Sequence, residues 1–171
     1  MKVTVKLLKQ LVDFSFSTSE LCEKLTMLGL EVETVRTTAD MFKDMVTAKI
    51  TAIKPHPGSE QLKLCRLDTG TKTCSVVCGA PNVETDAIVA LAHPGSALPG
   101  GEKVEKATIR EIDSEGMLVS EKDLGLALES SGIMILDRSL KPGIPLGKAL
   151  DLEDDIIEFE ITPNRSDCLS L

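Results

Sequence analysis

The chain has 171 residues, enough for one domain or two small ones, and 42% of them are hydrophobic, so a globular core can form. It contains four Phe, no Tyr and no Trp, which argues against a single-strand binder that stacks bases on aromatic side chains. The formal net charge of −8 argues against diffuse attraction to phosphate. However, the excess acid is concentrated in residues 151–171, and residues 41–150 are nearly neutral.

The start of the chain and the cysteines favour a cytoplasmic location. Lys2, Lys6 and Lys9 interrupt the first residues, so they do not read as a secretory signal, and no apolar run is long enough to cross a bilayer. The five cysteines are an odd number, which favours reduced thiols. Cys74 and Cys78 are four residues apart, but no paired His or second close Cys pair completes a zinc site, so we expect no bound metal.

Residues 1–35 carry α/β patterns. Met1–Val5 predicts a short strand, and leucines between Leu7 and Leu11 recur at helical spacing. Leu30–Val35 alternates apolar and charged residues, as a half-buried strand does.

A second helix is predicted between these two strands. Ser17–Glu20 has the form of a capping box. Leu21, Leu25 and Leu28 follow on one helical face, and Gly29 stands where a left-handed C-cap belongs.

Residues 37–45 read as a linker, after which short strands alternate with turn residues. A hard break is predicted at Pro55–Gly58 and a hairpin turn at Thr69–Lys72. The predicted strands are Val46–Ile53, Leu62–Asp68, Thr73–Cys78, Ile88–Ala92, Val104–Ile109 and Ile133–Leu136. Five or six short strands at this spacing indicate a small barrel or sandwich, and the length suits a five-stranded OB barrel.

The chain then returns to an α/β pattern. Asp151–Asp155 is read as a solvated acidic linker, and Ile157–Ile161 as a strand that pairs with 30–35. Thr162–Asn164 is expected to stop this strand, and Ser166 or Asp167 to cap a helix that starts at Cys168. Too few residues follow Cys168 to complete this helix, so we expect the sequence to be a piece of a longer protein.

The predicted fold class is α+β, with a five-stranded OB-fold β-barrel inserted into a small discontinuous α/β domain. Residues 1–40 form the first part of this frame, 41–150 the barrel, and 151–171 the return to the frame. Residues 1–35 are too few to bury a core alone, and inserted domains usually hang from two adjacent linkers.

Three segments of the central region carry recognisable motifs. The first is Lys54–Pro57 with Leu62–Cys65 and Asp68–Gly70, the second is Val77–Val83, and the third is Ile109–Arg110 with Ser114–Ser120 and Leu124–Leu126. In this order they resemble the tRNA-binding OB-fold family. Two departures are Glu111, where that family usually has Gly, and Val119, where Cys is common.

The flanking segments resemble phenylalanyl-tRNA synthetase β subunits. Met1–Leu11, Leu25–Glu33, Thr162–Arg165 and Asp167–Ser170 carry this likeness. It implies a heterotetramer of two α and two β chains that joins phenylalanine to tRNA using ATP and Mg²⁺, with the aminoacylation site on the α subunit. The partners are then tRNA, the α subunit and the remaining β-subunit domains, with no DNA or membrane. We expect no catalytic residue and no cofactor site in this piece.

The candidate tRNA contacts combine phosphate-binding cations with residues of the third segment. They are Lys54, Lys63, Arg66, Lys72, Arg110, Ser114, Met117, Ser120 and Lys122. Two interpretations of Ser114–Ser120 stay open: Gly116 forms a turn while Met117 fills the end of the barrel, or the hydroxyls and backbone face RNA. We expect weak binding with slight sequence preference.

Several motifs have a simpler structural explanation. His56 and His93 adjoin prolines and are interpreted as loop and turn residues rather than general bases. Gly79–Asn82 lacks the phosphate-loop pattern and is read as a turn that enters a short helix. An assembly module with little tRNA binding of its own, or another tRNA-binding OB-fold protein, stays open as the alternative function.

Overall fold

The computed structural model describes residues 1–161, which fall into two compact units. One comprises Met1–Asp40 with the described residues from Leu152 onward, and we name it the frame unit. The other comprises Met41–Asp151, and we name it the middle unit. The features expected at Thr162–Asn164 and around Ser166, Asp167 and Cys168 lie outside the described residues.

The helices and strands follow one another in this order. They are β1 (Lys2–Thr4), α1 (Val5–Leu11), α2 (Thr18–Met27), β2 (Glu31–Thr37), a short 3-10 helix (Thr38–Phe42), β3 (Met45–His56), β4 (Ser59–Asp68), β5 (Thr73–Cys78), β6 (Ile88–Ala92), β7 (Ala107–Ile109), β8 (Ile112–Ser114), β9 (Met117–Leu118), β10 (Ile135–Leu136), α3 (Leu146–Ala149) and β11 (Asp155–Glu160). The described chain is therefore mostly β with a few helices.

The frame unit is built on an antiparallel three-stranded sheet in the order β1-β11-β2. Ile157 stands opposite Val3 on one side and Val35 on the other, which confirms the predicted pairing of 30–35 with 157–161. The amino group of Met1 donates to the Phe159 carbonyl at 2.7 Å. Buried Val3, Ile157 and Phe159 pack with Leu21 of α2 in a small apolar core.

Helix α2 begins at the predicted capping box. The Glu20 N–H donates to Ser17 Oγ at 3.3 Å, and the Ser17 N–H donates to a Glu20 carboxylate oxygen at 2.8 Å. The Ser17 hydroxyl donates to the same carboxylate oxygen at 2.8 Å. These two bonds to the carboxylate, first that from the Ser17 N–H and then that from the hydroxyl, hold the pKa of Glu20 below its usual value. Gly29 has φ +88° and is in the predicted left-handed conformation. Leu28, predicted on one helical face with Leu21 and Leu25, lies just beyond the helix, which ends at Met27, and is 72% exposed.

The middle unit contains an antiparallel sheet in the order β10-β6-β3-β4-β5, with β9 also paired to β6. A separate hairpin joins β7 to β8. The core is aliphatic, as the shortage of aromatic residues requires, and it includes Ile50, Leu67, Val76, Val89 and Leu91.

Ser114 and Glu115 form hydrogen bonds with the free edge of β5. Glu115 N–H donates to the Ser75 carbonyl at 2.9 Å, and Val77 N–H donates to Ser114 Oγ at 3.2 Å. Because Met117–Leu118 then pairs with β6, this short segment links the edge of β5 to the other side of the sheet.

The break predicted at Pro55–Gly58 is confirmed only at Pro57 and Gly58, because β3 runs through Pro55 to His56 and β4 starts at Ser59. Pro55 stands opposite Lys63, next to a register shift. Strand β6 pairs with β3 only over Met45–Lys49, so one side of β3 has no described strand partner at Pro55, and the missing N–H costs no ladder bond there.

Other predictions also need correction. The linker at 37–45 contains the 3-10 helix, whose Phe42 is buried. The strand predicted over Val104–Ile109 is only Ala107–Ile109. Gly79–Asn82 forms a turn with no following helix, because the Asn82 amide binds Ile133 instead: it donates to the carbonyl at 2.8 Å and accepts from the N–H at 3.0 Å.

The acidic segment is more ordered than a solvated linker. An Asp154 carboxylate oxygen accepts the Lys6 N–H at 3.0 Å, and the Thr18 hydroxyl donates to Asp155. Thr38 Oγ donates to the Leu152 carbonyl at 2.6 Å and accepts the Asp154 N–H at 2.7 Å. The chain therefore leaves and re-enters the frame unit at neighbouring positions.

Candidate nucleic-acid interface

Two of the predicted cations share one face of the middle-unit sheet. In the register, Lys54 stands opposite Leu64, and Arg66 stands between Ala52 on β3 and Ser75 on β5. Directly opposed residues point to the same face of a sheet, and the adjacent Cys65 and Leu67 are fully buried on the other face. Lys54 and Arg66 are exposed, and neither forms an ion pair within residues 1–161.

These side chains line a groove of about 420 Å³, which we name the sheet groove. Its walls include Lys54, Leu64, Arg66, Ser75 and Glu115. The Ser75 N–H donates to a Glu115 carboxylate oxygen at 2.8 Å. The groove therefore combines two cations with one fixed carboxylate and an aliphatic wall.

Lys63 lies on the opposite face of β4. It stands across from Cys78, and its Nζ donates to the Pro81 carbonyl at 3.5 Å. Burial raises the pKa of the Cys65 thiol to about 11 and also raises that of Cys78, while Lys63 acts in the lowering direction on both. Because Lys63 and Arg66 lie on opposite faces of β4, they do not form one binding surface.

Arg110 is placed at the tip of the β3–β4 hairpin. Its guanidinium donates to the Gly58 carbonyl, and it lines a second groove of about 660 Å³ with His56 and Gln61. Because Lys54 precedes this tip by only a few residues, Arg110 and the sheet groove lie along the same hairpin.

His56 is only 3% exposed and holds two hairpins together. Its Nδ1 accepts the Gly58 N–H at 3.0 Å, and its Nε2 is 3.1 Å from the Ile109 carbonyl. A ring that accepts at Nδ1 can donate from Nε2 to the Ile109 carbonyl, so His56 is a structural bridge between the two hairpins. This role is not visible in the Pro-His-Pro sequence.

The β7–β8 connection is a tight turn with unusual residues. Arg110 and Glu111 have φ of 46° and 71°, and Ile109 stands opposite Ile112. A two-residue loop with both central φ angles positive is a type I′ turn. Glu111 thus occupies a left-handed position that glycine prefers, which explains the Gly usual there in the resembling family.

The two predicted serine hydroxyls bind inside the chain rather than facing a ligand. Ser114 is 3% exposed, and its Oγ donates to the Gly116 carbonyl at 2.9 Å while accepting the Val77 N–H. Ser120 Oγ donates to an Asp123 carboxylate oxygen at 2.8 Å. Met117 is 37% exposed, so it does not fill the end of a barrel.

The remaining two lysines lie elsewhere. Lys72 is exposed in the turn between β4 and β5, and Lys122 lines a different groove with Leu98 and Glu102. The structure thus brings Lys54 and Arg66 together, sets Arg110 at the tip of their hairpin, and separates Lys63, Lys72 and Lys122 from the sheet groove.

Glu115 is the groove residue that sequence reasoning misses. No sequence pattern predicts that Glu115 lines the groove, because its position depends on its hydrogen bonds to Ser75. The separation of Lys63 from Arg66 is predictable, since residues three apart in a strand point to opposite faces.

The described residues contain no group of three or more His, Cys, Asp or Glu side chains placed to hold a metal ion. Among residues 1–161, no helix is long and apolar enough to cross a membrane.

Residues 45–145 match the family model described as "Putative tRNA binding domain". The chain belongs to this family, and the match spans the sheet groove and the Arg110 turn.

Over its whole length the chain is similar to phenylalanine–tRNA ligase β subunits. It is 43% identical over 171 residues to that of Syntrophus aciditrophicus and 48% identical to that of Geobacter metallireducens, and each match covers 100% of this chain but 21% of the relative. The chain thus spans about a fifth of the length of these curated relatives.

A solved structure, the MetRS related protein from Pyrococcus horikoshii, is 10% identical with a TM-score of 0.43. That likeness covers 78% of this chain and 99% of the other.

Proposed function

We propose that this chain is the tRNA-binding part of a phenylalanine–tRNA ligase β subunit and that its middle unit assists tRNA binding. The observation that carries the proposal is the family match over residues 45–145. The exposed Lys54 and Arg66 supply phosphate contacts on one face, and Arg110 extends this surface toward the hairpin tip.

The fold proposed for the middle unit is an OB barrel of about residues 41–150, inserted into the frame at 1–40 and 151–171. The bonds of residues 114–116 to β5, followed by the pairing of β9 with β6, support closure of the sheet. The adjacent exit and return at Thr38 and Asp154 support insertion.

The middle unit is nearly neutral in charge, so binding relies on the local cluster rather than on diffuse attraction. With about three phosphates engaged, we expect a dissociation constant of roughly 10⁻⁴ to 10⁻⁶ M and a log–log salt slope of around −2 to −3.

The test is filter binding of tRNA to the chain across salt concentrations. We expect Lys54→Glu and Arg66→Glu to weaken binding to all tRNAs alike, and each should make the salt slope shallower by about 1, since one fewer phosphate is neutralised. Lys148→Glu, an exposed lysine of α3, changes the net charge equally but lines no part of the sheet groove. Equal weakening in all three variants would contradict a localised surface.

A second candidate is an assembly module that binds another part of the ligase. Glu115 within the sheet groove favours this candidate, because a fixed carboxylate opposes phosphate binding. Absence of tRNA binding at low salt would select it.

We propose that the complete ligase is an ATP- and Mg²⁺-dependent heterotetramer of the cytoplasm, with α subunits and the remaining β-subunit domains as partners. The described residues do not fit a metal site, so we derive no ATP or Mg²⁺ step from them. Phenylalanine-driven ATP–pyrophosphate exchange should be absent from the purified chain, and exchange above background would contradict placing the active site elsewhere.

A further inference from the structure

Glu115 is an unexpected residue in a groove proposed to bind a polyanion. It lies at the Ser75 backbone, and Ser75 stands directly opposite Arg66 in the sheet. Yet within residues 1–161 neither Arg66 nor Lys54 forms an ion pair with it. Its carboxylate therefore does not serve to neutralise these cations.

The carboxylate is fixed by backbone contacts. Ser75 N–H donates to it at 2.8 Å, and Glu115 N–H donates to the Ser75 carbonyl at 2.9 Å. In the described chain, Ser75 supplies the only hydrogen bond to this carboxylate. Glu115 is exposed, so the second carboxylate oxygen is available to a ligand.

An ionised carboxylate accepts hydrogen bonds and donates none. Such a carboxylate repels the phosphates of RNA, but it accepts hydrogen bonds from the exocyclic amino groups of cytosine, adenine and guanine. Uracil has carbonyl oxygens in place of an amino group, and its single N–H lies between them. The groove chemistry thus distinguishes bases that carry an amino group from uracil.

The rest of the groove suits an unpaired nucleotide. Leu64 offers an aliphatic surface against which a base can lie. Lys54 lies on the same face, within reach of a neighbouring phosphate. Single-stranded RNA is the class whose base edges are free to enter such a groove.

We propose that Glu115 is a specificity-determining residue that accepts a hydrogen bond from the exocyclic amino group of an unpaired RNA base, while Lys54 and Arg66 bind flanking phosphates. This inference rests on the proposed tRNA-binding function. It replaces the expectation of slight sequence preference with selection against uracil at one position.

The test compares fluorescence anisotropy of labelled oligo(C) and oligo(U) of equal length, about nine nucleotides, within the site sizes of OB folds. Wild-type chain should bind oligo(C) about 3- to 10-fold more tightly, the range of the net contribution of one solvent-exposed hydrogen bond. Glu115→Gln keeps an acceptor for the Ser75 N–H and adds an amide donor for uracil. It should remove the preference while tightening oligo(U) binding.

Glu105→Gln is the matched control, since it removes one negative charge from an exposed residue that does not line the sheet groove. It should leave the ratio of the two affinities unchanged. Equal wild-type affinity for both oligonucleotides would overturn this inference, as would a preference retained in Glu115→Gln with an unchanged unfolding curve. Neither result would contradict the proposed tRNA-binding function. Failure of both oligonucleotides and tRNA to bind at low salt would overturn the proposed function as well.

Discussion

At the scale of single residues, the β7–β8 turn stores conformational strain beside a proposed phosphate contact. Arg110 and Glu111 both have positive φ, which costs an L-residue roughly 1–2 kcal/mol each. The Arg110 guanidinium bond to Gly58 and the His56 bridge to Ile109 hold this turn against the β3–β4 hairpin. These two contacts therefore fix the position of Arg110 despite the strain of the turn.

Glu111→Gly should stabilise the middle unit by about 0.5–1 kcal/mol. Relief of the left-handed strain outweighs the greater entropy of glycine in the unfolded chain. Urea unfolding followed by far-UV circular dichroism measures this change. Glu105→Gly, at a position without positive φ, should instead be neutral or destabilising, and a gain there equal to that of Glu111→Gly would refute the explanation.

His93 makes the stability of the middle unit depend on pH. Burial, with a smaller contribution from Lys72, holds the pKa of His93 below its ordinary value, while Asp44 acts in the opposite direction. The folded state then binds fewer protons than the unfolded state as pH falls through the ordinary His pKa of about 6.5. The contribution of His93 to the free energy of unfolding is fully present above that pH. It decreases as the pH falls below it, until the pH passes the lower pKa that His93 has in the folded state.

His93→Gln should remove this component of the pH dependence. The measurement is the free energy of unfolding of wild type and variant at several pH values from neutral to mildly acidic. The wild-type curve should fall more steeply below about pH 6.5. Parallel curves would show that the titration of His93 is not linked to folding. The backbone bond from His93 N–H to Asp44 survives the substitution.

At the scale of elements, α2 owes its start to a capping box rather than to a long apolar face. The helix spans only Thr18–Met27, and Leu21 is its one buried residue. Short helices are marginal without tertiary packing, so the terminal hydrogen bonds carry more weight here than in a well-buried helix.

Ser17→Ala should destabilise the frame unit by about 1 kcal/mol, because the Glu20 N–H loses its side-chain acceptor and the Glu20 carboxylate loses the Ser17 hydroxyl. Ser19→Ala, two residues along the same helix and exposed, should be neutral or slightly stabilising. Chemical unfolding read by circular dichroism separates the two variants. Equal destabilisation would mean that the capping bonds contribute nothing specific.

Local patterns predict those elements whose causes are local. The hairpin of β4 and β5, the bounds of β6 and the cap at Ser17 follow from alternation and turn chemistry. The run of β3 through Pro55 does not follow, because it depends on where the pairing with β6 stops. The absence of a helix after Gly79 depends on the bonds of Asn82 to Ile133, 51 residues away.

The candidate site is predictable in composition but not in arrangement. The resemblance selects the hairpin that carries Lys54 and Arg66, and period-two geometry alone sets Lys63 apart from Arg66. The burial of Ser114 and the position of Glu115 depend on hydrogen bonds to β5 from residues far along the chain. Such long-range contacts leave no periodic signal in the sequence.

At the scale of the whole molecule, the middle unit has its own apolar core, and within residues 1–161 the strands of its sheet pair only with one another. We therefore expect residues 41–151 to fold when produced alone. Cooperative thermal unfolding and dispersed amide resonances would be the observations, and the isolated unit should bind tRNA with an affinity close to that of the whole chain. An unfolded product would show that the frame is required for its stability.

The position of β11 determines when the frame can form. It is the middle strand of the frame sheet, and β1 and β2 make no ladder with each other in residues 1–161. During synthesis on the ribosome, the first forty residues emerge, then the entire middle unit, and only afterwards the strand that joins the two edges. At typical elongation rates this interval is on the order of ten seconds. During this interval the apolar side chains of α1 and α2 have no complete sheet to pack against. The middle unit, although it is synthesised later, can already be folded.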